Sequence, residues 1–452
     1  MATEGQGSAA LYRKLKPGPG KSREQVESNQ RKRIQGAMIE LVARQGYAET
    51  TVRDLVRAAG VSKRAFYCHY PGRDCTGKEE CLLDTYDMLV RRLASQVEAA
   101  RKAGGDCRQQ LRLGFGAFGA KLVERRKAAV LGLVEVLAAG PAARRRAGQT
   151  TVRLEAMVRD AFACEPGAVA LPPELAKGIV AGAARVSRAR ILSGREDELP
   201  NLADELTAWT LSFRHEAIER LPAISAKQAP ATLPPPTRRA PLPPGDDRSL
   251  ILAATARIAA EEGYGALTVP RIRERAGVSR KRFDAQFEGV DDCFLATLDQ
   301  ELGAAIAAAT AVLRKAPDWR QGVRGALRSI CAAIARDTGL ARLAFFEVVE
   351  AGRPGIHWRA ELLGDLARAF RAGAPAGERP SELAGEASLG AAWSLIHYIV
   401  TRGRRHELLL VVDSLAFLLL APACGAEASV AAIETSRAES SGCLPSDRNY
   451  FC

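Results

Sequence analysis

The chain of 452 residues is 47% hydrophobic and 26% charged, and its formal net charge is +13. That length suits two or three domains with buried cores, and the positive charge favours a polyanionic partner. The ten cysteines show no paired metal-ligand spacing, which indicates neither a zinc site nor a disulfide framework and favours a cytoplasmic location.

Residue usage predicts an all-α fold. Alanine, leucine, arginine and glutamate dominate, β-branched and aromatic residues are sparse, and few stretches alternate between polar and apolar residues. The longest apolar run, residues 408–424, is interrupted by Asp413 and is short for a bilayer, so no membrane span is expected. Residues 1–22 lack an apolar segment, so we expect no secretory signal there but a disordered basic arm that could lie along phosphates.

The next stretch, residues 23–75, predicts a three-helix DNA-binding domain, termed here the first reader. Its first helix is expected to run from Arg23 to about Gln45. Thr51 and Asp54 then have the spacing of a capping box at the start of a second helix. This pattern places a short helix directly after the first one.

A tight turn and a third helix complete a helix-turn-helix. Gly60 supplies the left-handed geometry that other residues resist, and Ser62 can cap the third helix. Phe66 and Tyr70 are four residues apart and are expected to point inward. The opposite face stays polar and could meet base edges in the major groove; its residues are Lys63, Arg64, Tyr67 and His69.

This ordered run resembles the DNA-binding domain of the tetracycline-repressor (TetR) family of transcriptional regulators. The matching pieces are Gly46-Tyr47, Thr51-Val52-Arg53-Asp54-Leu55, Ala59-Gly60-Val61-Ser62, Phe66-Tyr67, Tyr70 and Arg73. The resemblance implies that residues 62–69 form the recognition helix and that Tyr67 and Arg73 contact phosphate. The expected DNA-contacting residues of the first reader are therefore Thr51, Ser62, Lys63, Arg64, Tyr67, His69 and Arg73.

The resemblance also implies a helical ligand-binding and dimerisation domain, here residues 76–221. In the family this domain encloses a small molecule and ends in two helices that dimerise as a four-helix bundle. The candidate bundle helices are Glu174–Leu192 with Leu199–Leu221, and Glu382–Thr401 with His406–Leu420. An apolar stripe at helical spacing is also what a plain core shows, and the candidate pocket residues are Phe115, Phe118, Leu122, Phe345, Phe346 and Trp358.

A proline-rich linker, residues 222–245, is followed by a second copy of the whole unit. Ala59-Gly60-Val61-Ser62 recurs 217 residues later as Ala276-Gly277-Val278-Ser279, and Cys81 recurs 212 residues later as Cys293. Repetition over this length indicates that the entire unit was duplicated. The expected domains are a second, degenerate reader at 246–290, a second helical ligand-binding and dimerisation domain at 291–425 and a disordered tail at 426–452.

The second reader differs from the first at positions that should face DNA. Asp284 replaces Tyr67 and Val290 replaces Arg73, and a carboxylate repels phosphate. Three adjacent cations remain, and arginine can read guanine. We therefore expect weaker or different DNA binding through Thr268, Arg280, Lys281 and Arg282.

Together these features predict a transcriptional regulator, expected to be a repressor, that a small apolar ligand releases from operator DNA. The two copies are expected to pack as an intrachain pseudo-dimer. One alternative makes the second copy a dimerisation or sensing module only, with DNA bound by a homodimer of two chains. Another is a helical enzyme or scaffold with a borrowed reader, although the sequence shows no catalytic, metal-binding or cofactor-binding constellation.

Overall fold

The computed structural model describes residues 22–73, 75–164, 169–221 and 245–442. Every regular element in these ranges is a helix, which confirms the all-α prediction. The expected basic arm and proline-rich linker lie outside the described residues, apart from Ser22 and Gly245, and so does the end of the expected tail from residue 443.

The first copy contains nine helices within the described ranges. Its reader consists of α1 (Arg23–Glu49), α2 (Val52–Ala59) and α3 (Lys63–His69). The helices that follow are α4 (Gly77–Arg101), α5 (Cys107–Glu124), α6 (Arg126–Val130, the π-helical turn Leu131–Glu135 and Val136–Ala138), α7 (Pro141–Phe162), α8 (Pro173–Leu192) and α9 (Ala203–Leu211). Short 3-10 turns, Glu196–Leu202 and Glu216–Arg220, flank α9.

The second copy repeats this order. Its reader consists of α10 (Asp247–Glu262), α11 (Val269–Ala276) and α12 (Arg280–Asp284). The helices that follow are α13 (Val290–Lys315), α14 (Trp319–Arg336), α15 (Thr338–Arg342, the π-helical turn Leu343–Glu347 and Val348–Glu350), α16 (Arg353–Gly373), α17 (Glu382–Thr401) and α18 (Val412–Cys424). Even the π-helical turn recurs at the equivalent place, so the sequence repeat is also a repeat of structure.

The helices form two compact units whose limits differ from those of the two copies. Unit 1 contains the described residues up to Gly105, with Gln109–Leu154 and Ser187–Ala203. Unit 2 contains Asp106–Arg108, Glu155–Val186 and the described residues from Asp204 onward. Most of α8 and α9 therefore belongs to the same compact unit as the second copy.

The core of unit 1 joins the first reader to α6. Ile34 and Met38 of α1, Leu55 of α2 and Phe66 of α3 are fully buried in one cluster with Leu131 of α6. Full burial of such a side chain contributes about 1.5–3 kcal/mol. The reader is thus held by apolar packing against the domain that follows it.

In unit 2, α8 and α9 pack against α17 and α18. Trp209 of α9 is 2% exposed, and its Nε1 donates a hydrogen bond to Ser388 Oγ of α17 at 3.0 Å. Gly182 of α8 leaves room for the indole, since a Cβ there would lie 2.5 Å from Cη2 of Trp209. The ring centroid of Phe213 lies 5.3 Å from that of Trp209 and 6.1 Å from that of Phe417 in α18. The helices predicted for the bundle therefore share one core.

A nineteenth helix, α19 (Ala426–Gly442), lies where a disordered tail was expected, and that expectation was wrong as far as residue 442. Val430 and Ile433 are fully buried, although small and polar residues surround them in the sequence. The Arg220 guanidinium also pairs with the Glu427 carboxylate at 2.8 Å. A narrow stripe of small and apolar side chains suffices to dock this helix, and such a stripe is easily misread as tail.

Candidate nucleic-acid interface

The turn between α2 and α3 of the first reader is built from local capping. Thr51 Oγ1 accepts a hydrogen bond from the Asp54 N–H at 3.2 Å, and the Asp54 carboxylate accepts from the Thr51 N–H at 3.2 Å. Gly60 has φ 60° and ψ 39°, the left-handed region that glycine occupies without strain. Ser62 Oγ then accepts from the Ala65 N–H at 3.1 Å and starts α3. These contacts confirm the capping box, the turn glycine and the second cap predicted from the sequence.

Helix α3 has one buried and one exposed face, as predicted. Phe66 and Tyr70 are buried on the inner face. Lys63, Arg64 and Tyr67 are exposed on the other, and the Tyr67 side chain is 41% exposed despite its ring. Neither Lys63 nor Arg64 pairs with a carboxylate within the described ranges. An exposed phenol on the same face as two cations that no described carboxylate neutralises is suited to contact the phosphate backbone of DNA.

His69 lies closer to the protein than the sequence suggested. Its side chain is half-buried, and its Nε2 is 3.3 Å from Gln30 Oε1 of α1. Burial lowers the pKa of His69 below its usual value, which favours the neutral ring. A role of His69 in DNA contact stays a prediction, and it would be that of a neutral hydrogen-bonding group.

Arg73 is carried by a tight loop between α3 and α4. Gly72 has φ 73°, and a Cβ there would lie 2.8 Å from the backbone nitrogen of Gly77. The Gly72 N–H donates to Glu80 Oε2 at 2.8 Å, which fixes the loop against α4. Arg73 is exposed at this loop, and no carboxylate within the described ranges pairs with its guanidinium. Thr51 and Ser62 are exposed as well.

A polar cluster that the sequence did not reveal holds α3 in place. The Asp84 carboxylate of α4 accepts hydrogen bonds from Arg31 Nε at 2.9 Å, from Gln35 Nε2 at 2.8 Å and from the Tyr70 hydroxyl at 2.7 Å. Burial raises the pKa of Asp84, but these hydrogen bonds outweigh burial and hold the pKa below its usual value. The cluster therefore joins α1, α4 and the end of α3 through one charged acceptor.

Replacing Asp84 with asparagine is expected to destabilise the first reader by about 2 kcal/mol, because hydrogen bonds to a charged acceptor are lost. Since the folded pKa is depressed, the carboxylate stabilises the fold above its unfolded pKa of about 3.9, and this contribution disappears as the pH falls through the folded value. Urea unfolding between pH 3 and pH 7 measures both effects, and the variant should show the weaker pH dependence. Asp87 lies on α4 as well, and Asp87→Asn removes one ion pair with Arg146 of α7, so it should cost under about 1 kcal/mol. Equal losses in the two variants would contradict the role of the cluster.

Two of the three adjacent cations of the second reader are paired with carboxylates. Arg280 Nε lies 3.3 Å from Asp284 Oδ2, and Arg282 Nε lies 2.6 Å from Asp247 Oδ2. The cap at Thr268 is retained, since its Oγ1 accepts from the Arg271 N–H at 3.4 Å. The helix-turn-helix is thus preserved in shape, while part of its positive charge is neutralised within the domain.

The second reader also lacks the Asp84 cluster and the Arg73 loop of the first. Ala296 stands where the first copy has Asp84, and Phe287 stands where it has Tyr70. The Arg248 guanidinium lies over the Phe287 ring instead, 4.9 Å from its centroid. Val290 is already the first residue of α13, so the loop that carries Arg73 in the first copy has no counterpart. Val290 takes the place of Arg73 in the sequence comparison because the connection between the reader and the next helix is shorter in the second copy.

The candidate pocket residues fall into separate environments. Phe118 and Leu122 pack in unit 1 against Leu199, and Phe115 is half-buried on the same helix. In unit 2, the Phe345 centroid lies 4.7 Å from that of Trp393, whereas Phe346 is 39% exposed. Trp358 is buried and its Nε1 donates to Asp299 Oδ1 at 2.7 Å. A cleft in unit 1 is lined by other residues, namely Arg91, Arg92, Ser95, Gln96 and Arg125.

Within the described ranges, no group of three or more histidine, cysteine or acidic side chains is placed to hold a metal ion. None of the helices described is both long and apolar enough to cross a bilayer.

Two stretches of the chain match one family model, described as bacterial regulatory proteins of the tetR family. The matches cover residues 36–75 and 251–297, which are most of the first reader and most of the second reader with the start of α13. Both helix-turn-helix domains belong to the tetR family of bacterial regulatory proteins. The chain is a DNA-binding transcription regulator with two TetR-like units, each with its own helix-turn-helix.

Several solved structures are similar to this chain. The transcriptional regulator FadR from Bacillus subtilis, in complex with stearoyl-CoA, is 16% identical with a TM-score of 0.35, over 40% of this chain and 98% of that one. A TetR-like regulator from Rhodococcus sp. RHA1 is 17% identical with a TM-score of 0.33, over 41% and 97%. The TetR-family regulator PfmR from Thermus thermophilus is 22% identical with a TM-score of 0.33, over 40% and 95%. No curated protein matches the sequence.

Proposed function

We propose that this TetR-family chain is a cytoplasmic, ligand-responsive repressor whose first reader provides most of the affinity for operator DNA. The observation that carries this proposal is the difference between the two recognition helices. Lys63 and Arg64 are exposed and without a carboxylate partner among the described residues, whereas Arg280 and Arg282 are each paired with an aspartate. Phosphate binding requires cations that are free to replace counterions, so the first reader is the better equipped.

The pairing of α8 and α9 with α17 and α18 supports an intrachain pseudo-dimer. These are the helices that form the dimer bundle in the resembled family, and here each pair comes from a different copy. Trp209 and Ser388 connect the pairs by a buried hydrogen bond, and Gly178 of α8 faces Leu418 of α18, whose Cδ1 would lie 3.0 Å from a Cβ at the glycine. A covalent link raises the effective concentration of one copy for the other, which favours this pairing over a homodimer of two chains.

An effector would act through the helical domains. The apolar cluster around Phe118 and Leu122 and the aromatic contact between Phe345 and Trp393 are the apolar sites on which a small apolar ligand could act. A ligand that binds one arrangement of the helices better than another shifts the population of DNA-competent chains. Release from the operator is then the expected consequence.

Footprinting on operator DNA, together with the mass of the complex in solution, tests this proposal. Operator fragments would first be selected from random duplexes with the full chain. One chain per duplex with an asymmetric footprint supports the intrachain arrangement, because the two readers differ. Two chains per duplex with a symmetric footprint would instead favour the second copy as a dimerisation or sensing module. Absence of any sequence-selective binding would overturn the proposed function.

Replacing Asp284 with tyrosine is expected to tighten operator binding by about tenfold. The change removes a carboxylate that would repel phosphate, releases Arg280 from its ion pair and supplies the phenol that Tyr67 provides in the first reader. Titrations at several salt concentrations should show a steeper salt dependence and an unchanged sequence preference. Asp365→Tyr, at an exposed acidic residue of α16, is the matched control and should leave affinity unchanged. Unchanged or weaker binding by Asp284→Tyr would count against DNA contact by the second reader.

A further inference from the structure

Each copy contains a π-helical turn that ends in a buried glutamate. Glu135 ends the turn in α6 and is 1% exposed, and Glu347 ends the turn in α15 and is 5% exposed. π-Helical turns are rare, and they often mark functional positions because one extra residue is accommodated in the helix. The same turn and the same acidic residue therefore occur at equivalent positions in both copies.

Both glutamates accept a hydrogen bond from the reader of their own copy. The Tyr47 N–H donates to Glu135 Oε2 at 2.8 Å, and the Tyr264 N–H donates to Glu347 Oε2 at 2.6 Å. Each of these tyrosines follows a glycine with positive φ, Gly46 at 84° and Gly263 at 96°. The glycine breaks the helix, so the next N–H has no acceptor one turn back and needs one from elsewhere.

We infer that Glu135 and Glu347 are positioning residues that tie each helix-turn-helix to the helical domain behind it. Each glutamate with its tyrosine N–H is termed here a glutamate latch. The inference rests on the proposed function, because it names the connection through which an effector would control DNA binding. If the π-helical turn becomes α-helical, the helix beyond it rotates by about 100°, one residue of an α-helix. That rotation withdraws the carboxylate from the tyrosine N–H and releases the C-terminal end of the first helix of that reader.

The two latches differ in the contacts around them. In the second copy, Arg342 Nε donates to Glu347 Oε1 at 2.7 Å, and its Nη1 donates to the carbonyls of Ala260 at 2.9 Å and Glu261 at 3.0 Å. This arginine clamps the C-terminal end of α10 to the latch glutamate. The equivalent position in the first copy is Val130, 212 residues earlier.

The first copy has a different second contact. Lys78 of α4 donates from Nζ to the Tyr47 carbonyl at 3.1 Å and lies 4.2 Å from the centroid of the Tyr47 ring. The corresponding position at the start of α13 is Val290. The first reader is therefore joined to α6 and α4. The second is joined to α15 by a glutamate and an arginine, and to α13 by the Tyr264 hydroxyl, which donates to the Asp291 carboxylate. Movement of α6 relative to α4 would loosen the first reader, which has the exposed DNA-facing cations.

Hydrogen exchange of the full chain tests the latch directly. Glu135→Ala is expected to speed exchange of the Tyr47 amide about tenfold and to raise exchange across α2 and α3, with operator affinity reduced by about threefold to tenfold. Glu135→Gln keeps an acceptor oxygen and should restore slow exchange and affinity. Glu347→Ala is the matched variant in the second copy, and its effect on the Tyr264 amide should be smaller, about threefold, because Arg342 still binds the two carbonyls.

A reciprocal exchange of side chains guards against variants that fail to fold. Val130→Arg introduces into the first copy the arginine that the second copy has at position 342, and it should slow exchange of the Tyr47 amide. Arg342→Val should speed exchange of the Tyr264 amide. Unchanged local exchange in folded Glu135→Ala, or equal exchange in the alanine and glutamine variants, would overturn the latch. Failure of the wild-type chain to bind duplex DNA would overturn the proposed function instead, and the exchange measurements would still decide the latch.

Discussion

Replacing Lys63 and Arg64 together with alanine is expected to weaken binding of operator DNA by about a hundredfold at physiological salt. Both side chains are exposed at the start of α3, where a recognition helix meets the major groove, and neither is paired with a carboxylate in the described ranges. Loss of two cations should also lower the salt dependence of binding. Fluorescence anisotropy with a labelled operator at several salt concentrations measures both quantities.

The matched change in the second reader is Arg280→Ala with Lys281→Ala. We expect a loss of less than about fivefold, because Arg280 is already engaged by Asp284 and contributes little net charge to the surface. Thermal unfolding of each variant should stay close to that of the wild-type chain, since exposed substitutions of this kind change stability little. Equal losses of affinity from the two pairs of substitutions would show that both readers contribute equally to DNA binding, contrary to the proposed function.

Replacing Trp209 with alanine is expected to lower the free energy of unfolding of unit 2 by about 3–5 kcal/mol. The indole is buried among α8, α9 and α17, stacks edge-on against Phe213 and donates to Ser388 Oγ. Its removal leaves a cavity beside Gly182, where the helices approach too closely to collapse further. Urea unfolding followed by circular dichroism measures the loss.

Two further variants separate packing from hydrogen bonding at this position. Ser388→Ala should cost about 1 kcal/mol, because only the hydrogen bond is lost and the indole remains in place. Trp209→Phe should fall between the two alanine variants. A loss below about 1 kcal/mol for Trp209→Ala would mean that α8 and α9 are not held against α17 in solution.

The helix-turn-helix could be predicted because its determinants are close together in the sequence. The cap at Thr51 and Asp54, the turn at Gly60 and the inward pair Phe66 and Tyr70 all lie within twenty residues, and the structure confirms each of them. The duplication could be predicted because equal spacing between matching segments does not depend on how the chain folds. Local physics and internal repetition were therefore sufficient for the fold class and for the first reader.

Contacts between distant segments could not be predicted in the same way. Arg31 and Asp84 are 53 residues apart, and Tyr47 and Glu135 are 88 residues apart, so neither pair leaves a periodic pattern. His69 was expected to face outward, but its contact with Gln30 depends on how α1 lies beside α3. Helix α19 was missed because its composition is largely polar, and only the packing around Val430 shows its buried side. The contribution of the individual pocket residues stays a prediction.

The placement of α8 and α9 in unit 2 has a consequence for synthesis on the ribosome. Trp209 is synthesised about two hundred residues before α17 and α18, the helices that bury it in the folded chain. At about 5–20 residues per second, its apolar surroundings therefore stay exposed for on the order of ten to forty seconds. During that interval the nascent chain exposes this apolar surface, because the helices that cover it have not yet been synthesised. Slowed translation of the second half should therefore increase capture of nascent chains by chaperones and their loss to aggregation.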